Sequence, residues 1–210
     1  MPAAAAEQTL TAPVAGRRQA TFVLADGLSL FELQVSDLGD DLYWISSPAG
    51  SGVVPGPEVR GDRVQLRLTP TGQSGPAAVR VLLNVRVDWR LQLAGGVSSQ
   101  VLDLTEARLR GVELAGGSAR TDLLLPPVRG TVTVRVTGGT NQLDIQVPGQ
   151  PPVRVRAAAG VGSVVLGDDR QVGVAAGALL STPGWDRSVD RLFVDLVAGA
   201  HVVTVLPAGP

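Results

Sequence analysis

From Leu91 to Gly167 the chain repeats one pattern of apolar and polar positions four times. The copies read LQLAGGVSSQVLDL from Leu91, VELAGGSARTDLLLP from Val112, VTVRVTGGTNQLDIQVP from Val132 and VRVRAAAGVGSVVLG from Val153. Aligned on Gly96, Gly117, Gly139 and Gly160, they lie 21, 22 and 21 residues apart. Leu91, Val112, Val134 and Val155 stand five before the glycine, and Leu102, Leu123, Ile145 and Leu166 stand six after it. Period-2 alternation on both sides of each glycine predicts strands. A fixed period near 21 residues predicts stacked repeats.

The expected fold is all-β, a right-handed parallel β-solenoid with coils of about 21–22 residues. A lone coil cannot bury its own side chains, so successive coils shield one another's Leu and Val in columns. The glycines are expected at the corners, where a positive φ or a close backbone approach excludes a Cβ. An antiparallel β-sandwich also uses short alternating strands and is the alternative. Outward columns follow from the register: Glu113 beside Arg135, Asp122 beside Asp144, and Arg135 followed by Arg156.

The pattern extends beyond the four copies. Phe22, Leu24, Leu33 and Val35 repeat it around Gly27, and the 69 residues to Gly96 leave room for about three coils. Val194, Leu196 and Val205 repeat it around Gly199, with an insertion at 167–190 before them. Residues 1–18 read as a flexible arm, and 19–210 as one domain, less regular at 40–78. Apolar residues fill every odd position from Val79 to Leu93, a run longer than one usual strand, so a bend or bulge is expected within it.

Composition narrows the function more than it identifies one. Seven aromatics in 210 residues leave an aliphatic core, and 26 Gly with 15 Pro argue against long helices. The net charge of −1 recruits no nucleic acid. All basic residues are Arg, a usage that GC-rich codons explain as readily as anion recognition does. With no Cys there is no disulfide, thiolate metal site or thiol nucleophile. No run approaches the ~18 apolar residues of a spanning helix, so direct membrane insertion is not expected.

Candidate chemistry is sparse. His201 is the single histidine, and no GxSxG elbow accompanies it. Gly160-Val161-Gly162 begins a dinucleotide fingerprint but has Val165 where the third glycine belongs. No metal-ligand spacing occurs, so neither metal nor cofactor is expected. Asp122 with Asp144, or Asp168 with Asp169, could form an acid pair of the glycosidase kind. Trp185 and its neighbour Asp186 in PGWDR could contact a ligand or partner, or Trp185 could plug the gap where the insertion folds back. Trp89 falls on the buried parity of its strand, whereas Trp44 lies off the parity of Tyr43 and Ile45 and is assigned to neither core nor surface.

The glycine-doublet strand units, GVGSVVL from Gly160 and STPGWDRSVDRLFVDLVAGAHVVTV from Ser181 resemble the bacterial toast-rack β-strand-repeat proteins. These include the C-terminal domain of LiaF-type cell-wall-active-antibiotic response proteins and adhesin-like domains. The resemblance implies a non-catalytic structural or protein-interaction module linked to envelope stress. Expected partners are another protein or the chain's own copies, joined end-on through the unpaired edge of a bare terminal coil. A carbohydrate-binding or carbohydrate-acting β-helix is the alternative, and it needs Trp185 and two Asp in one groove. A full-length chain of this kind would be cytoplasmic, and a domain cut from a membrane-anchored parent would face the envelope.

Overall fold

A computed structural model describes residues 9–208. The chain begins with β1 (Leu10–Pro13), β2 (Gln19–Leu24), β3 (Leu28–Ser36), β4 (Asp41–Ser46), β5 (Val53–Arg60), β6 (Arg63–Pro70) and β7 (Ala78–Asn84). It continues through β8 (Asp88–Leu93), β9 (Val97–Asp103), β10 (Arg108–Leu114), β11 (Ser118–Leu124), β12 (Thr131–Val136) and β13 (Thr140–Val147). The last strands are β14 (Val153–Ala157), β15 (Val161–Leu166), β16 (Asp169–Val174), β17 (Ala178–Ser181), β18 (Arg191–Leu196) and β19 (Ala200–Pro207). Among the described residues the one helical element is a 3-10 turn, Trp185–Arg187.

These strands form two mixed sheets around a shared aliphatic core. Sheet A has the order β1-β4-β7-β3-β9-β11-β13-β19-β15-β16, and sheet B the order β17-β14-β18-β12-β10-β8-β2-β6-β5. Central pairs are parallel and in register, while antiparallel pairs occupy the margins. Each doublet-glycine corner carries the chain from sheet B to sheet A, as from β8 to β9 and from β10 to β11.

Leu102, Leu123 and Ile145 lie side by side on neighbouring strands, all at most 1% exposed, as the repeat requires. The expectation of a purely parallel stack in chain order is corrected at both ends. Leu33 of β3 pairs directly with Leu102 of β9, so no three coils lie between them. The Pro- and Gly-rich segments after β4 and β6 turn the chain back, and β4 to β7 build the margin outside β2 and β3. At the other end β18 and β19 slide between β12/β13 and β14/β15, so Val205 separates Ile145 from Leu166.

The alternating run Val79–Leu93 is two strands in different sheets, β7 and β8, joined across a turn where Val87 is fully buried. Part of the expected N-terminal arm, Leu10–Pro13, is the edge strand β1, while residues 1–8 lie outside the described part. The bare terminal coil that end-on pairing requires does not occur among the described residues. Antiparallel edge strands β1 and β5 close one end of the two sheets, and β16 and β17 the other. The edge strand β5 also carries Pro55 and Pro57, which remove donors of one parity.

At the doublets the glycine requirement is met one residue earlier than the alignment suggests, whereas Gly160 holds the expected place with a φ of 87°. A Cβ at Gly95 would fall on the Asp26 carbonyl, one at Gly116 on the Gly95 carbonyl, and one at Gly138 on the Gly116 carbonyl. At Gly96, Gly117 and Gly139 a Cβ would meet its nearest backbone oxygen at 3.4–3.8 Å, an ordinary contact. Close approach between neighbouring corners therefore selects the first glycine of each doublet.

Candidate functional site

The candidate residues fall on opposite faces of the molecule. Asp122 and Asp144 are register partners on β11 and β13, pointing outward from sheet A. Two carboxylates one strand apart repel unless a cation joins them. Arg120 supplies it: its Nε and a terminal nitrogen donate to the two Asp122 oxygens at 2.9 and 3.0 Å. The same guanidinium lies 3.6 Å from Asp144, which also accepts from the Gln142 amide at 2.6 Å. The Asp122 hydrogen bond raises the Arg120 pKa above its usual value, so the bridging charge is permanent. Both carboxylates are thus engaged, with no third acidic or histidine ligand beside them among the described residues.

Trp185 lies on the outer side of sheet B, 7% exposed, in the 3-10 turn that follows left-handed Gly184. Its ring tilts against Phe193 of β18 with centroids 6.2 Å apart. The Arg154 and Arg191 guanidiniums sit 4.9 and 5.0 Å from the ring centre. Such contacts are cation–π attractions, which leave a covered ring little surface for a sugar. Asp186 accepts from Arg154 at 3.0 Å and from there points to solvent. Trp185 therefore fastens the insertion to β14 and β18 through side chains already in contact.

Since Trp185 and Asp186 belong to sheet B and the Asp122–Asp144 pair to sheet A, the groove required by a carbohydrate-acting site does not form from them. Asp168 sits in the turn before β16, and Asp169 opens that exposed strand. His201 is exposed on β19. Trp89 is fully buried and donates to the Asn84 carbonyl at 2.8 Å. Trp44 is 41% exposed on β4, its Nε1 donating to Asp41.

Sequence reasoning missed the most constrained charge. Asp195 of β18 is 4% exposed and stands in register between Arg135 of β12 and Arg156 of β14. Arg156 donates to it at 2.7 Å, and Arg135 lies 3.7 Å away. The signal was present: Arg135, Arg156 and Asp195 all fall four before their aligned glycines. Two arginines on adjacent strands repel, and an aspartate between them removes the conflict.

A bulge on β10 was also not foreseen. Register shifts between Leu109 and Gly111, and Gly111 adopts φ 155°. The bulged Arg110 is exposed and reaches across β8 to donate to Gln19 of β2 at 2.7 Å. Inside sheet A a short polar ladder links Gln100 to Thr121 at 2.8 Å, Thr121 to Ser118 at 3.0 Å and Ser118 to Thr140 at 2.8 Å.

No family model matches the sequence, and no curated protein matches it. Solved structures do. A candidate cell adhesion protein from Clostridium sporogenes ATCC 15579 superposes with a TM-score of 0.64 over 96% of this chain and 99% of that one, at 16% identity. A candidate adhesin from Parabacteroides merdae ATCC 43184 gives a TM-score of 0.31, with 11% identity over 97% of this chain and 86% of that one. The match to the Clostridium protein shows a shared fold along essentially the whole described chain.

Proposed function

We propose that the chain is a non-catalytic binding module of the toast-rack adhesin kind, its two-strand units forming the coils of one solenoid-like stack. The observation that carries this reading is the superposition with the candidate cell adhesion protein along nearly the full length of both chains. The separation of Trp185 from the Asp122–Asp144 pair also favours binding through a broad face over catalysis in a cleft. We place the module at the cell envelope, as the exposed part of a membrane-anchored parent, with the cytoplasm as the alternative. A role in the envelope-stress response is a narrower form of the same proposal. Altered tolerance of cell-wall antibiotics after deletion of the gene would support that form.

The test is direct. Full-length protein on beads should bind saturably to envelope preparations of its host, and protease added to intact cells should digest it in place. Absence of binding at micromolar protein, or complete protection from protease, would remove the adhesive or the envelope part of the reading respectively. Self-association in the bare-coil form has weaker support, because each sheet ends in an antiparallel edge strand (β1, β5, β16 or β17) and not in a parallel one. A mass that rises with concentration in sedimentation would restore it.

A further inference from the structure

Both broad faces of the molecule carry charge, but only one leaves much of it unpaired. On sheet B from β12 to β14 most arginines face a carboxylate: Arg135 and Arg156 share Asp195 and Arg154 meets Asp186, while Arg191 is held by Thr131 and the Trp185 carbonyl. On β6, β8 and β10 the situation reverses. Arg63, Arg67, Arg90, Arg108 and Arg110 are all exposed, and among the described residues none lies within 4.0 Å of a carboxylate. Their side-chain partners are neutral amides where they have any: Gln92 for Arg63, Gln19 for Arg110 and Gln65 for Arg67. Asp88 and Glu113 are the acidic residues of the same strands, so these strands keep an excess of positive charge.

The positions are set by register. Arg63 and Arg90 share one row, each paired in register with Thr21 of the intervening β2. Two strand spacings separate them, about 10 Å. Arg108 is the register partner of Asp88 on the neighbouring strand, and the bulge turns Arg110 outward beside it. Guanidinium groups at such intervals on a flat face suit carboxylate or sulfate groups, which they grip through two parallel hydrogen bonds.

Resting on the reading of the chain as a binding module, we propose that this face of sheet B docks an acidic polysaccharide, a linear chain with carboxylate or sulfate groups on alternate sugars. The spacing favours it over duplex DNA, whose phosphates recur every ~3.4 Å of helix axis along each strand. The strands of this face also offer no exposed aromatic on which single-stranded bases could stack, since Phe22 of β2 and Trp89 of β8 are both fully buried.

The test uses the full chain on columns of heparin, hyaluronate and neutral dextran, with duplex DNA as competitor. Binding to one or both acidic polysaccharides and none to dextran is expected, weakening as salt rises. The triple variant Arg63→Gln/Arg90→Gln/Arg108→Gln should bind at least about tenfold more weakly with a shallower salt dependence. Arg80→Gln, on the outer face of sheet A, should bind as the parent does. Unchanged circular dichroism and Tm in the triple variant confirm that these exposed changes leave the fold intact. Retention of full binding by the triple variant, an equal loss with Arg80→Gln, or stronger binding to DNA at matched salt each overturns the proposal. Envelope binding that persists while both acidic columns fail overturns this inference alone and leaves the adhesive reading standing.

Discussion

The middle of the stack and its C-terminal end use the same repeat and solve it differently. From β8 to β13 the spatial order of the strand pairs is the chain order, and each corner has a doublet glycine beneath the next. From β14 to β19 the last pair to be made lies between two earlier ones, and the seam position is held by Ala198, not glycine. There the N–H bond to the carbonyl of the neighbouring strand is slightly longer, 3.3 Å for Ala198 to Val136 against 2.9–3.1 Å for Gly95, Gly116 and Gly138. The repeat thus decides which residues share a column. Residues that depart from it decide who stands beside whom.

The strongest way to break the middle is through its aliphatic column. Leu123 is fully buried between Leu102 and Ile145, so Leu123→Asp loses about 1.5–3 kcal/mol of apolar burial and strands a charge in the core. A total cost above ~4 kcal/mol is expected, seen as loss of a cooperative urea transition. A cooperative transition displaced by less than half of that cost would mean that the two sheets do not share one packed core.

Next comes the seam. Gly116→Ala places a methyl on the Gly95 carbonyl and should cost about 3 kcal/mol, because backbone on both sides must move. The reciprocal Ala198→Gly should cost no more than about 1 kcal/mol, the usual entropy penalty of glycine. Equal losses at the two sites, measured by urea denaturation, would show that the seam is not what distinguishes middle from end.

Asp195→Ala probes the end itself. It leaves Arg135 and Arg156 without their common partner, but both side chains are about half exposed, which limits the penalty to about 1–2 kcal/mol. Hydrogen exchange should quicken in β14, β15, β18 and β19 before β8 to β13 respond. Uniform loss of protection would mean that the inserted pair is not a separable unit.

Much of this was legible in the chain because side-chain parity and a fixed period constrain contacts directly. Leu102, Leu123 and Ile145 had to share a face, and Glu113 had to meet Arg135. Chain order was not legible, because every copy offers the same columns to every other copy. Breaking that degeneracy needed charge read down the column Glu113, Arg135, Asp195, Arg156, where signs alternate in the folded order and not in the sequence order. Trp185 was legible as an anchor, but the arginines covering its ring come from β14 and from the start of β18, a pairing that depends on the same unforeseen insertion.

The smallest expected effect contrasts two ways of placing charge. Arg120 bridges Asp122 and Asp144 on the open face of sheet A, whereas Asp195 bridges two arginines from a buried position. Arg120→Gln leaves two carboxylates facing each other one strand apart with solvent beside them. Their repulsion is screened by salt. The variant should therefore be less destabilised than Asp195→Ala, and the difference from the parent should fade as salt is raised. The Asp195→Ala penalty should fade less at the same salt, because the Asp195 carboxylate is buried and accepts its hydrogen bond from Arg156 away from water, although both arginines are half exposed. Equal salt sensitivity in the two variants would remove the distinction between a face that tolerates its charges and an end that is ordered by them.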